Sequence, residues 1–193
     1  MPKHIHLVTS NQRKVDDYNR RINLPNLEIV RLNVDLDEGR SLDIQEIANI
    51  KLQQAKKLFP NKAILVEDRG FFIPALNNFP GPFVKIFLKS IGIEGVLKLM
   101  ESKEDRTALF ITVLAYFDGN TDHFFVDTEI GFLGLTAKGN NIRGWTDILY
   151  IYGHEAFPNK SLAELNDEEW SKYLEKIEVN DYINQFLSFV QTN

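Results

Sequence analysis

Residues 63–68 read Ala-Ile-Leu-Val-Glu-Asp, an apolar run that ends in two adjacent carboxylates. The run from Lys62 to Glu67 predicts a buried strand, followed by a loop with Asn77, Asn78, Pro80 and Gly81. Two acids at the end of such a strand must be met by a cation, because an unpaired carboxylate leaves water only at high cost. Any fold for this chain therefore has to bring positive charge to Glu67 and Asp68. Hard oxygen ligands at a strand end are also how a protein holds Mg²⁺ against substrate phosphates. Glu38, in the acidic segment Asp-Leu-Asp-Glu-Gly-Arg-Ser, is a further ligand candidate. The plainer alternative is a turn cap and a surface lysine pair.

Around this segment, strands alternate with helices. His4–Val8 and 27–32 predict strands, and 13–22 predicts an amphipathic helix. Ile44, Ile47, Ala48, Leu52, Ala55 and Phe59 recur at helical spacing. Residues 82–91 and 93–100 predict two short helices broken at Gly92, with Pro82 opening the first. Segments 107–117 and 121–130 flank Asp118-Gly119-Asn120, a hairpin signal. Residues 148–152 predict a short strand. Trp170, Tyr173, Leu174, Ile177, Ile183, Phe186, Leu187 and Val190 mark a helical end. The pattern predicts a mixed α/β sheet in a single domain over 1–193.

Composition narrows the classes. A net charge of −5 argues against binding duplex nucleic acid, which needs a cationic face. No cysteine is present, which removes disulfides, thiolate metal sites and thiol nucleophiles. No apolar run is long enough to span a membrane, and the N-terminus lacks a signal-peptide core, so a cytoplasmic protein is expected.

Thr9-Ser10-Asn11-Gln12-Arg13-Lys14 follows a strand and opens a helix. A helix N-terminus offers free N–H groups and partial positive charge to a phosphate, and Lys14 adds a full charge. The same residues also suit a plain Ser/Asn cap. Trp145, in Arg-Gly-Trp-Thr-Asp, could stack on a base or cover core. His4, His6, His123 and His154 receive no role.

In order and spacing, these segments resemble one family, the inosine triphosphate pyrophosphatases. The resemblance rests on Thr9-Ser10-Asn11-x-x-Lys14, on Val66-Glu67-Asp68-x-Gly70, and on Ala75-Leu76 with Phe79-Pro80-Gly81-Pro82. Residues 92–108 and Leu162-Ala163-Glu164-Leu165 add to it. It implies an elongated mixed sheet flanked by helices, with two lobes and a central cleft. It also implies a homodimer and a Mg²⁺-dependent cleavage of purine nucleoside triphosphates such as ITP, dITP and XTP between the α- and β-phosphates. Carried onto this chain, Asp68 and Lys14 would be catalytic, and Thr9, Ser10, Asn11, Lys14 and Arg69 would hold substrate. Glu38, Asp68 and Glu67 would serve the metal, and Trp145 and Lys176 would lie at the base end.

The base end departs from the family. Arg143-Gly144-Trp145-Thr146 stands where the family has Phe-Gly-aromatic-Asp, and Trp170 where it has a lysine. Leu174-Glu175-Lys176 stands where it has the Ser-His-Arg that reads the purine 6-oxo group. Either base choice is altered, since Glu accepts from a 6-amino group where Arg donates to a 6-oxo group, or Glu175 and Lys176 are an ordinary solvent face. A nucleotide- or partner-binding paralogue without catalysis is the alternative function.

Overall fold

The computed structural model describes residues 3–22, 24–140 and 146–192. The chain order is β1 (Lys3–Val8), α1 (Gln12–Arg21), β2 (Leu27–Leu32), α2 (Ile44–Leu58), β3 (Ile64–Ile73), β4 (Phe79–Gly81), α3 (Val84–Leu99), β5 (Thr107–Phe117), β6 (Asp122–Leu133), β7 (Tyr152–His154), α4 (Asp167–Ile177) and α5 (Tyr182–Thr192). The strands form one mixed seven-stranded sheet in the order β2-β1-β3-β5-β6-β7, with β4 on β3. β1 runs parallel to β2 and to β3, and β4 and β7 pair antiparallel. No helix among the described residues is long and apolar enough to cross a membrane.

The chain divides into two compact units, each with its own core. The first comprises Met1–Arg69, Thr112–Asp127 and Asn180–Asn193. Its core packs Ile5, Leu7, Ile29, Leu65 and Leu114 of the strands against Val15 and Tyr18 of α1 and Ile183 and Phe186 of α5. Arg21 at the end of α1 makes a two-pronged pair with Asp181 just before α5, at 2.6 and 2.5 Å, with both side chains only 6% exposed. The hairpin forms as its sequence demands. Asp118 accepts from the Asn120 and Thr121 amides, and Gly119 takes φ 111°. The Thr121 bond, then His123 and the Asn120 bond, hold the Asp118 carboxyl down to about 2.

The second unit comprises Gly70–Ile111 and Thr128–Val179. Its core centres on Phe71, Phe110 and Tyr152, with ring centroids 4.7 Å apart for the first pair and 4.8 Å for Phe110 and Tyr152. Gly92 breaks α3 as expected: its φ of 63° and ψ of −175° belong to backbone that only glycine adopts readily. Pro82 lies two residues ahead of α3, with Phe83 between, so it does not occupy the first helical position.

Three predicted elements come out differently. β3 does not stop at Glu67 but continues to Ile73, so the two acids sit inside a strand rather than at its end. Residues 147–150 form a 3-10 turn and the strand begins at Tyr152. Ile148, Leu149, Ile151 and Tyr152 are all buried, a spacing that suits a helical turn and not alternation. The helical end is two helices, α4 and α5, with α4 capped by Asn166 and Glu169.

Candidate active site

The site residues of the first unit gather where β1 ends. β1 is level with β3 at His6 and Ile64 and at Leu7 and Leu65. Continuing that register two residues brings Glu67 beside Thr9. The carboxyl ends of the parallel strands β1 and β2, the kind of edge where ligands bind in open α/β sheets, thus meet the middle of β3 at the Thr9–Asn11 loop and the N-terminus of α1.

Successive side chains on a strand point to opposite faces. Leu65 packs with Val15 and Tyr18 of α1, so Glu67 and Arg69 share that face. Asp68 lies on the other face, where α2 supplies its partner. The cation that each acid needs is therefore a different lysine. Lys14 Nζ lies 3.2 Å from Glu67 Oε1 and donates to the Glu67 carbonyl at 3.0 Å. Lys51 Nζ lies 2.5 Å from Asp68 Oδ2 and 3.1 Å from Glu38 Oε1. Both ammonium groups thus meet at the Glu67–Asp68 dipeptide. The Glu67 side chain is 6% exposed and that of Asp68 14%, whereas Glu38 is 70% exposed. Burial works against the Lys51 charge, but the Asp68 and then the Glu38 carboxylates outweigh it and hold its pKa above the ordinary lysine value.

Beneath Lys14 the packing is polar and closed. Tyr18 and Tyr182 are buried, and burial followed by the Glu67 charge pushes both hydroxyls well above the ordinary tyrosine range. Arg69 donates from Nε to Thr112 Oγ1 at 2.6 Å, and its N–H donates to Asp68 Oδ1 at 2.9 Å.

The loop before α1 is tightly built. The Asn11 N–H donates to Thr9 Oγ1, and Asn11 Oδ1 accepts from the Arg13 N–H, each at 3.0 Å. The Asn cap expected from sequence is present, and Ser10 is exposed beside it. The charge around this terminus differs from that at α2 and α4, and resembles α3 and α5 in having no acid in the first turn. α2 begins with an Asp43 cap and Glu46, and α4 carries Asp167, Glu168 and Glu169 in its first turn. These acids complement the positive end of the helix dipole. The first turn of α1 has no acid. Arg13 and Lys14 stand there instead, and Arg31 reaches in from β2. Positive charge gathered on the positive end of a dipole makes that end favourable for an anion.

The expected metal set comes together in part. Glu38 and Asp68 converge on one cation, the Lys51 ammonium, whereas Glu67 faces Lys14. Among the described residues, no group of three or more His, Asp or Glu side chains lies close enough to hold a metal. Two carboxylates are nonetheless a fitting donor set for Mg²⁺, which takes one or two of them together with substrate phosphates.

At the base end, Trp145 lies outside the described residues. Lys176 belongs to the second unit, exposed on α4 with its Nζ 2.8 Å from Glu155, and Glu175 is exposed beside it. This is the solvent-face arrangement. His154 is buried and accepts from the Ala156 N–H, and burial lowers its pKa.

Two site residues were missed in the sequence, and each had a signal. Lys51 falls three, four and seven residues after Ala48, Ile47 and Ile44, so it sits inside the apolar stripe of α2. Arg31 ends the alternation Leu27, Ile29, Arg31 on one strand face.

Fold and site together define an α/β protein with a cationic helix terminus beside a cation-bridged pair of carboxylates. Residues 5–177 match the sequence profile of the Ham1 family, and the chain belongs to that family. It is 31% identical over 167 residues to the dITP/XTP pyrophosphatase of Ignicoccus hospitalis, covering 86% of this chain and 87% of that one. It is 33% identical over 177 residues to the inosine triphosphate pyrophosphatase of Kluyveromyces lactis, covering 89% and 90%. The Ham1 protein structures from Coxiella burnetii and Staphylococcus aureus share the fold. Their TM-scores are 0.81 and 0.79 at 20% and 24% identity, covering 98% and 97% of this chain and 100% and 98% of theirs.

Proposed function

We propose that this protein is a Mg²⁺-dependent nucleoside triphosphate pyrophosphatase that cleaves ITP-, dITP- or XTP-like purine nucleotides to the monophosphate and pyrophosphate. The observation that carries the reading is the meeting of Lys14 and Lys51 at the Glu67–Asp68 dipeptide, beside a helix terminus crowded with positive charge. A triphosphate carries about four negative charges, which a terminus carrying Arg13 and Lys14 is suited to meet. The relatives' names support the substrate class.

In this reading Thr9, Ser10 and Asn11 present donors to the phosphates, and Lys14 neutralises them. Glu67 fixes Lys14 from below, and Arg69 braces Asp68 through its N–H. Water breaks the bridge between the α- and β-phosphates, and Asp68 takes the proton that the water loses. Asp68 and Glu38 would hold Mg²⁺, which when bound polarises the attacked phosphorus and neutralises charge on the phosphates. Lys51, which holds both carboxylates in the structure, would then be available to phosphate. Trp145 at the base remains part of the proposal. Lys176, exposed beside Glu155, stays in it too, and an altered base specificity with it. The homodimer is carried over from the resemblance, and the cytoplasmic setting from the sequence. One family profile spans both compact units, which supports reading the chain as one functional domain.

The test is pyrophosphate release from ITP, dITP, XTP and the four common triphosphates, with and without Mg²⁺. Turnover of the first three that needs Mg²⁺ is expected. Asp68→Asn should lower it on the order of a hundredfold or more, the usual contribution of a positioned proton acceptor. Triphosphate that binds by calorimetry yet stays intact would establish the non-catalytic alternative instead.

A further inference from the structure

We infer that Arg31 is a positioning residue: it clamps the Thr9–Ser10 backbone so that the loop is set to receive phosphate before any ligand arrives. The inference rests on the phosphate-binding reading of this loop. Arg31 spreads one guanidinium over four partners. Nε donates to the Thr9 carbonyl at 3.2 Å and one Nη to the Ser10 carbonyl at 2.6 Å. That Nη also donates to Asn33 Oδ1 at 3.0 Å, and the other to Gln12 Oε1 at 2.7 Å. None of the four is a carboxylate. A surface arginine seeking an ion pair would not choose two main-chain carbonyls and two amides.

The geometry of the peptide gives the clamp its effect. In a planar trans peptide the N–H points opposite to the C=O. With the Thr9 carbonyl held by Arg31, the Ser10 N–H is turned away from the guanidinium. With the Ser10 carbonyl held too, the Asn11 N–H is turned onto Thr9 Oγ1, where it makes its 3.0 Å bond. Both peptide planes flanking Ser10 are thus fixed by one side chain, and the exposed Ser10 is the residue they present. Register explains the reach. Arg31 pairs with Leu7, two residues before Thr9, and the Thr9 N–H donates to the Leu32 carbonyl at 3.0 Å. Lysine could not replace it, because its single ammonium lacks the planar fork.

The test is calorimetric binding of inorganic pyrophosphate together with ITP kinetics, on the intact protein and on Arg31→Met and Arg31→Lys. Fixing one residue's backbone costs about 1–2 kcal/mol, close to a factor of ten in binding. Arg31→Met should therefore weaken pyrophosphate binding and raise the KM for ITP about tenfold, while kcat changes much less. The loss should persist in about 1 M salt, where screening acts over only ~3 Å and a simple charge effect would vanish. Arg31→Lys, which keeps the charge, should lose most of the same affinity. Wild-type affinity in either variant, or a loss that disappears in high salt, overturns the inference. If Arg31→Met does not fold, Arg31→Lys decides on the same readouts. A wild-type protein that binds no pyrophosphate and turns over no triphosphate overturns the phosphate-binding reading itself, a result distinct from the others.

Discussion

Removing either end of the Lys51–Asp68 pair should cost stability, and removing both should cost less than the two losses combined. At 2.5 Å and an effective dielectric of ~20, the gross attraction is about 6–7 kcal/mol. Both side chains are nearly buried, at 13% and 14% exposure, so desolvation takes several kcal/mol of this back. Asp68→Asn leaves Lys51 with Glu38, which is largely in water and worth little, and a loss of about 2 kcal/mol follows. Lys51→Met leaves the Asp68 carboxylate buried with the Arg69 N–H as its remaining support, at a cost of about 3 kcal/mol. The double variant buries no unpaired charge and should lie near the milder single variant. The coupling is then about 3 kcal/mol. Urea unfolding followed by far-UV circular dichroism on the four proteins measures it. Losses that simply add, to within about 0.5 kcal/mol, would refute the pairing of Lys51 with Asp68 as a buried ion pair.

Two further outcomes follow from the first unit. Arg21→Met should strand the Asp181 carboxylate between α1 and α5 and destabilise the protein by about 3–5 kcal/mol, read as a lowered Tm and urea midpoint. The buried hydroxyls set an alkaline limit. Tyr116 is pushed up to about 12 by burial and then by Asp118, and Tyr18 and Tyr182 stand well above their ordinary value. Raised native values mean that this stability is whole below pH ~10 and is lost as pH climbs towards the native values. The slope is at most about 1.4 kcal/mol per pH unit for each tyrosine. Absorbance near 295 nm should show these three of the six tyrosines ionising only with global unfolding. Smooth titration of all six near pH 10 would contradict it.

Local chemistry made much of the fold legible. Asn11 ahead of an amphipathic stretch, Gly92 in an otherwise helical run and Asp118-Gly119 between two strands each do what those residues dictate on their own. What stayed hidden was set by distant partners. β3 seemed to end at its acids because charge rarely continues a buried strand. It continues because Lys14, 53 residues earlier, and Lys51, on a helix of the opposite face, neutralise them. Alternation also sends Glu67 and Asp68 to different faces, so adjacent acids meet two different lysines. The resemblance pointed to Lys14 and Asp68. Lys51 and Arg31 had to be found by asking why a charge should interrupt an apolar face.

The Asn11 cap has a consequence for which substitutions the chain can accept. Its Oδ1 is committed to the Arg13 N–H, so the side chain shows a ligand its NH₂ edge alone. Aspartate caps a helix as well as asparagine does. An Asp at this position would keep α1 intact and yet turn a donor into a second anionic oxygen, at the loop proposed to receive phosphate. The folding requirement and the binding requirement thus part company at one atom, Nδ2, and only the second distinguishes the two residues.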